Sequence, residues 1–360
     1  MLSQAFKAQE LSRAEKKKVK MLTREAQAYL DMDDYYMALQ YYRQCLAIDP
    51  LNERAGTNSA ICMQKLAYPV DSTMFLLENL TNSRQPDANF YLALIKHQQR
   101  KFDEAILLLQ NYRKLKESKR LITDTEVNYR LGLSLNAKEF MAHPGEAHIS
   151  NMGEAINSKF DDYVPVVNLD ESLLYFTSKR EGSTGDLLNT DRNFFEDVYC
   201  SRKVNGVWQK AENVGPPINS ETNDACVALS YDGHSMLVYR TSDDQVSGDL
   251  YLSRINDKNQ WGELQKLGES INSSFVESSA CFSTDSSEIF FSSNRPGGFG
   301  GKDIYRIKRL PNQDWSWAYN LGPEVNSAQD EDAPFLHPDG RTLFFSSKGH
   351  DCMGNYDVFS

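Results

Sequence analysis

The 360 residues carry a net charge of −11, with 40% hydrophobic and 25% charged side chains. This is the make-up of globular domains, and it excludes wholesale disorder. The length predicts two domains, and no run of eighteen apolar residues exists to form a membrane-crossing helix. Met1 to Lys20 has no apolar core behind its basic residues, so it does not read as a secretory signal. A cytoplasmic chain, or one whose natural N-terminus lies upstream, is expected.

Charge divides the chain. Residues 1–142 hold 21 Lys/Arg against 17 Asp/Glu, a net of +4, and residues 143–360 hold 18 against 33, a net of −15. The acidic part would repel a phosphate backbone, so nucleic acid is not expected as a partner. Lys16-Lys17-Lys18-Val19-Lys20 reads as a solvated helix face. The six cysteines (45, 62, 200, 226, 281, 352) lie far apart without a Cys-x-x-Cys, so buried structural thiols are expected instead of zinc or dithiol redox chemistry.

From Ser3 to about Lys138 apolar residues recur at helical spacing. Between Val19 and Asn52, Ala26, Tyr29, Ala38, Tyr42, Cys45 and Pro50 sit at the offsets of a 34-residue helix–turn–helix repeat. Ala26 and Ala38 would let two helices approach closely, Tyr29 and Tyr42 would be buried beside them, and Pro50 would stop the second helix. Asp33-Asp34 supplies the turn. Pro86 to about Glu117 repeats the pattern more loosely, with Leu92-Ala93 and Lys101 to Ile106. The segment Glu53–Ser83 reads as degenerate, broken at Tyr68-Pro69, and Tyr129 to Leu133 starts a capping helix. The unit resembles tetratricopeptide repeats, whose stacking makes a concave peptide-binding face.

From Asn151 a second repeat begins. Ile156-Asn157-Ser158 recurs around Asn219, Asn272 and Asn326, each with a glycine three residues before the apolar position. An alternating strand, an Asp-centred turn and a second strand follow, with turns at Asp170, Asp232, Asp285 and Asp339. Then comes a polar loop and Asp197-Val198-Tyr199, repeated at Asp249, Asp303 and Asp357. Trp208, Trp261 and Trp315 are placed on a fourth strand. Four short strands per fifty-odd residues predict propeller blades. The aspartates before the third strands are expected to satisfy backbone donors and hold one blade to the next. They are not expected to bind metal.

These motifs, and Phe335 to Ser347 above all, resemble the WD40-like repeats of the TolB family. Tetratricopeptide repeats followed by such blades resemble envelope lipoproteins of the Bacteroidota, one of which belongs to the type IX secretion machinery. The resemblance implies a periplasmic, outer-membrane-associated protein that binds other envelope proteins. In that family an OmpA-like domain follows the propeller, so peptidoglycan binding is expected only if such a domain is supplied beyond this sequence. Because Ser360 falls directly after a third strand, a propeller cut short at the C-terminus is expected. The alternative is a four-bladed ring closed by residues 146–150.

No catalytic, cofactor or metal set emerges. Gly297 to Asp303 suggests a phosphate loop, but Pro296 stands where the first glycine belongs and Asp303 replaces the metal-binding hydroxyl. A flexible inter-strand loop is the expectation. The six histidines are scattered, and neither a nucleophile elbow nor a zinc helix is present. The fold expected is a helical tetratricopeptide-like solenoid over 1–142 and a WD40-like β-propeller of at least four blades over 143–360. The function expected is a non-enzymatic scaffold. The competing expectation is the regulatory propeller of a hydrolase whose catalytic domain lies beyond Ser360.

Overall fold

The computed structural model describes residues 11–66, 68–78, 86–143, 148–188, 193–242 and 247–360. The chain divides into two compact units, 1–144 and 145–360. Of the proposed ring-closing segment, Glu146 and Ala147 lie outside the described residues, and His148–Ser150 forms no strand.

In the first unit, α1 (Arg13–Leu30) opens with a capping box between Ser12 and Glu15, so the first orphan N–H groups are satisfied locally. It buries Val19, Leu22 and Ala26, one stripe at helical spacing. Asp34 caps α2 (Tyr35–Ile48), which answers with Ala38, Leu39, Tyr42 and Cys45. Ala26 and Ala38 are completely buried, which brings the two backbones close. Tyr29 departs from expectation. It is only half-buried and stacks on Tyr41, with ring centroids 5.4 Å apart, because its position looks out over the rim of the helix pair. Pro50 lies exposed just past the C-cap Asp49.

The segment read as degenerate is a helix pair too. Asn52 caps α3 (Glu53–Lys65), and α4 (Val70–Glu78) follows the break at Tyr68-Pro69. Pro69 begins the helix instead of ending the fold, its carbonyl accepting from Ser72 N–H at 3.1 Å. Tyr68 packs against the first pair under Arg43, 5.2 Å from the ring centre. α5 (Asp87–Gln98) and α6 (Phe102–Arg113) form the third pair, and α7 (Asp124–Ala142), capped by Thr123, packs on α6. No described helix is long and apolar enough to cross a membrane.

The second unit is four antiparallel sheets in chain order, a four-bladed propeller-like arrangement. The first sheet holds β1 (Asp162–Val167), β2 (Leu173–Ser178) and β3 (Asp197–Val204). A hairpin arm, β4 (Val207–Trp208), and an outer strand, β5 (Glu212–Asn213), both pair with β3. The second sheet runs β6 (Asp224–Leu229), β7 (Ser235–Thr241), β8 (Gly248–Arg254) and β9 (Gln265–Lys266). The third runs β10 (Ala280–Phe282), β11 (Glu288–Ser293), β12 (Asp303–Lys308) and β13 (Tyr319–Asn320). The last contains β14 (Glu331–Leu336), β15 (Leu343–Ser347) and β16 (Asp357–Phe359). The first strands of consecutive sheets are neighbours, and Tyr231 reaches from the β6–β7 turn to donate to the Leu336 carbonyl of β14.

The period of two along each second strand builds the core between blades. Tyr175 faces Ile218, Met236 and Val238 of the next sheet, while Leu237 faces Ile289 and Phe291 of the one after. Phe290 meets Leu336 and Leu343. The residues after the third-strand aspartates, Val198, Leu250 and Ile304, are fully buried in these junctions. Their counterpart Val358 is 73% exposed.

Candidate binding surfaces

The asparagines of the repeat are the clamps between blades. Asn219 Oδ1 accepts from Val198 N–H at 2.9 Å, and its Nδ2 donates to the Val198 carbonyl at 2.9 Å. Asn272 holds Leu250 in the same way, at 2.8 and 2.9 Å, and Asn326 holds Ile304 at 2.7 and 3.0 Å. A carboxamide carries one acceptor and one donor side by side, so it replaces a strand's backbone partner where the sheet ends. Asn157, first of the series, is half-buried and makes no such bond among the described residues.

The third-strand aspartates work within their own blades, which corrects the expectation that they join neighbours. Asp197 accepts from Thr184 N–H at 2.6 Å and from Asn213 at 2.6 Å, and burial pushes its pKa up. Asp303 collects Phe299 and Gly300 N–H, Asp357 collects Met353 N–H, and Asp249 pairs with Lys266. Each draws in the chain around its own third strand. The glycine loop 297–301 is therefore pinned, not free. Gly301 N–H also donates to the Gln329 carbonyl at 3.0 Å, and a Cβ on Gly300 would overlap that same oxygen.

A second acidic series escaped the sequence reading. Asp162, Asp224, Glu277 and Glu331 each accept from the serine of the Asn-Ser pair four residues earlier. Arg180, Arg240 and Arg295 pair with the first three and also donate to the carbonyls of Ile156, Ile218 and Ile271. Burial opposes the charge on Asp162, but bonds from Ser178 and Arg180 hold its pKa below the usual range. Burial wins at Asp224, whose pKa is raised. In the fourth blade His350 Nε2 meets the Val325 carbonyl at 3.0 Å in the place of the arginine.

The tryptophans occupy equivalent positions, but on the hairpin arms before the outer strands and not in those strands. Trp208 lies in β4, and Trp261 and Trp315 form single bridges with Ile255 and Arg309. All three are half-buried. Trp261 packs edge-on to Tyr175 of the preceding blade, centroids 5.8 Å apart, and Trp315 joins the core shared with the second sheet. Trp208 packs against the cluster of Ile156, Leu174, Phe176, Tyr199 and Ala211.

The described residues contain no cluster of three potential metal ligands, and the six cysteines form no disulfide. Burial raises the thiol pKa of Cys62 to about 11 and of Cys281 to about 12. Such thiols are poor nucleophiles at neutral pH.

The helical unit carries the more open surface. A cleft of about 600 Å³ lies between α1, α3, α5 and the turn before α7. Arg54, Thr57, Asn58, Ile61 and Lys65 line it from one face of α3, at spacings of three and four residues. Asn58 donates to the Tyr42 hydroxyl at 2.7 Å, and Arg54 donates to Gln27 at 3.0 Å. Across the cleft Asp87 accepts from Tyr112 and from Leu121 N–H. Arg120 pairs with Asp124 at 2.7 Å while its Nε and Nη1 stay buried without partners.

No family model matches the chain, and no curated protein matches it. Among solved structures, a putative TolB from Agrobacterium tumefaciens aligns at 18% identity over 53% of this chain and 62% of its own, with a TM-score of 0.36. This chain thus spans less than two thirds of that protein. The tetratricopeptide domain of Sgt2 from Aspergillus fumigatus aligns at 17% identity over 40% of this chain and 94% of its own, with a TM-score of 0.31. The propeller domain of the trilobed protease from Pyrococcus furiosus aligns at 7% identity over 52% and 48%, with a TM-score of 0.30.

Proposed function

We propose that the chain is a non-enzymatic protein-binding scaffold of the bacterial cell envelope, acting in outer-membrane or secretion assembly of the type IX kind. One observation carries the binding role: the helical cleft is lined by exposed cations, Arg54, Lys65 and Lys119, that form no ion pair among the described residues, whereas the repeated asparagines, acids and arginines of the blades are taken up in holding the sheets. Rigid arrays with an open concave face serve recognition. The envelope address rests on the order of the two repeat types and on the TolB-like blade motif around Phe335 to Ser347. The partners on this reading are other envelope proteins, and peptidoglycan enters only through a further domain.

A pull-down with the purified chain from envelope extracts, at low and high salt, tests the proposal. Recovery of a defined set of envelope proteins is expected. Recovery of cytoplasmic proteins alone, or hydrolase activity of the protein, would overturn it.

A further inference from the structure

We propose that a cleft between the first and second blades binds an acidic sugar, a site in the propeller that goes beyond the protein-binding role proposed above. The cleft holds about 610 Å³ and is lined by residues of β2, β3 and β5 in the first blade and by the Ile255–Trp261 arm of the second. Small-ligand sites span about 300–1,000 Å³, so the volume is of the right order. Its floor is where this junction departs from the next one. The cross-strand pair Tyr175–Cys200 stands where the second blade has Leu237–Leu252. Those leucines pack with Trp315 in an apolar core. The Tyr175 hydroxyl is instead held by the Trp261 and Cys200 side chains, which leaves a polar floor beside an aromatic wall.

Around that floor stand polar groups that the fold leaves available. Among the described residues Arg202, Lys210 and Glu212, all exposed, form no ion pair, and the Asn259 and Gln260 side chains make no hydrogen bond. Two cations against one carboxylate make the lining positive, in a half of the chain that carries a net −15. A carboxylate is the group such a lining attracts, and Arg202 can meet it with two parallel N–H donors. Amides both donate and accept, as sugar hydroxyls do, so Asn259 and Gln260 suit the rest of the ring. The C–H face of a sugar suits the apolar surfaces of Trp261, Pro216 and Pro217. A peptide fits less well. β3 already pairs with β2, β4 and β5, and β2 with β1, so these strands offer no open edge to an extended chain.

The test uses the whole chain and uronate trisaccharides of the galacto, gluco and manno series, titrated by calorimetry. The carboxyl-reduced counterpart of each and a triglutamate peptide serve as controls. At least one uronate should bind, with its reduced counterpart about tenfold weaker and triglutamate no better than that counterpart. Arg202→Gln should weaken the uronate by about tenfold and Lys210→Gln by about threefold. Circular dichroism should show both variants folded, since neither side chain is buried. Binding should quench tryptophan fluorescence in the native chain and in Trp208→Phe but not in Trp261→Phe, which would place the sugar in this cleft. Equal binding of the reduced sugar or of triglutamate would overturn the acidic-sugar assignment. No binding of any of the uronates, or indifference to both charge substitutions, would overturn it as well.

Discussion

The helical unit and the propeller solve the same problem, stacking repeats into a rigid array, by different chemistry. Helix pairs meet through small and apolar residues such as Ala26, Ala38 and Tyr42, all fully buried, and their polar ends are capped locally by Ser12, Asp34, Asn52 and Thr123. Blades meet through apolar faces too, but each junction is registered by a buried carboxamide and a serine–acid pair, which an arginine completes except in the fourth blade, where His350 takes its place. The difference decides what is left for a ligand. Apolar packing leaves side-chain charge available on the helical unit, whereas the blade network takes up the repeated asparagines, acids and arginines, although the equivalent Tyr199 and Tyr305 hydroxyls stay buried without a partner.

The sharpest way to break this contrast is Asn272→Ala. It would leave Leu250 N–H and the Leu267 carbonyl without their partner inside a junction, while the Leu250 carbonyl keeps only the Leu267 N–H. A loss of about 3–5 kcal/mol is expected, since each buried orphan group costs about 1–3 kcal/mol and water recovers part. Calorimetry should show only the propeller transition fall. Asn157→Ala, at the position without a clamp, should leave that transition in place, and equal losses from both would refute the clamp.

Trp261→Ala comes next. Its indole is half-buried against Tyr175, so a loss of about 2–3 kcal/mol is expected, below that of a fully buried aromatic. Chemical denaturation of the propeller measures it. Ala38→Leu tests the helical side: overpacking the α1–α2 crossing should cost about 1–3 kcal/mol and spare the propeller. A shift in the propeller transition would mean that the two units do not unfold independently.

The smallest effect is electrostatic. Hydrogen bonds from the Ser287 side chain and N–H, with Ser283, lower the Asp285 pKa to about 2. A depressed carboxylate contributes stability that is complete above its unfolded pKa, about 4, and disappears as the pH falls through 2. Asp285→Asn should therefore lower the propeller melting temperature slightly at pH 7 and not at all below pH 2. Asp224 runs the other way: its raised pKa makes its charge a burden that protonation relieves as the pH falls towards 4. A deficit in Asp285→Asn that persisted in acid would point to lost turn geometry, not lost charge.

The sequence displays some of this well. Asparagine is spelled the same way in every blade because nothing else offers a paired donor and acceptor at that length, so the phase of the propeller could be read directly. The second acidic series was hidden. Its members change from Asp in the first two blades to Glu in the last two, their arginines lie 18, 16 and 18 residues further along the chain, and His350 replaces one of them. The α3–α4 pair was missed because its buried positions are Ala55, Ala60, Cys62 and Leu77, without the tyrosines that marked the first pair. The helical cleft was illegible for another reason: Arg54 and Lys65 share α3, but Lys119 lies far along the sequence, and only the fold brings it opposite them.

The clamp asparagines also bear on how the protein would age. Every one of them precedes a serine, and an Asn-Ser pair loses ammonia when the following backbone nitrogen attacks the side-chain carbonyl. At Asn219, Asn272 and Asn326 that nitrogen is tied to a carboxylate at 2.6, 3.0 and 2.7 Å, and the amide is fixed to a neighbouring strand, so the ring-forming geometry is out of reach. Ser158 N–H is tied as well, at 2.6 Å to Asp162, but the Asn157 amide has no strand to hold it. Among the four repeat asparagines, loss of ammonia should therefore begin at residue 157. The three junctions that carry the sheets would keep their amides for as long as the blades stay together.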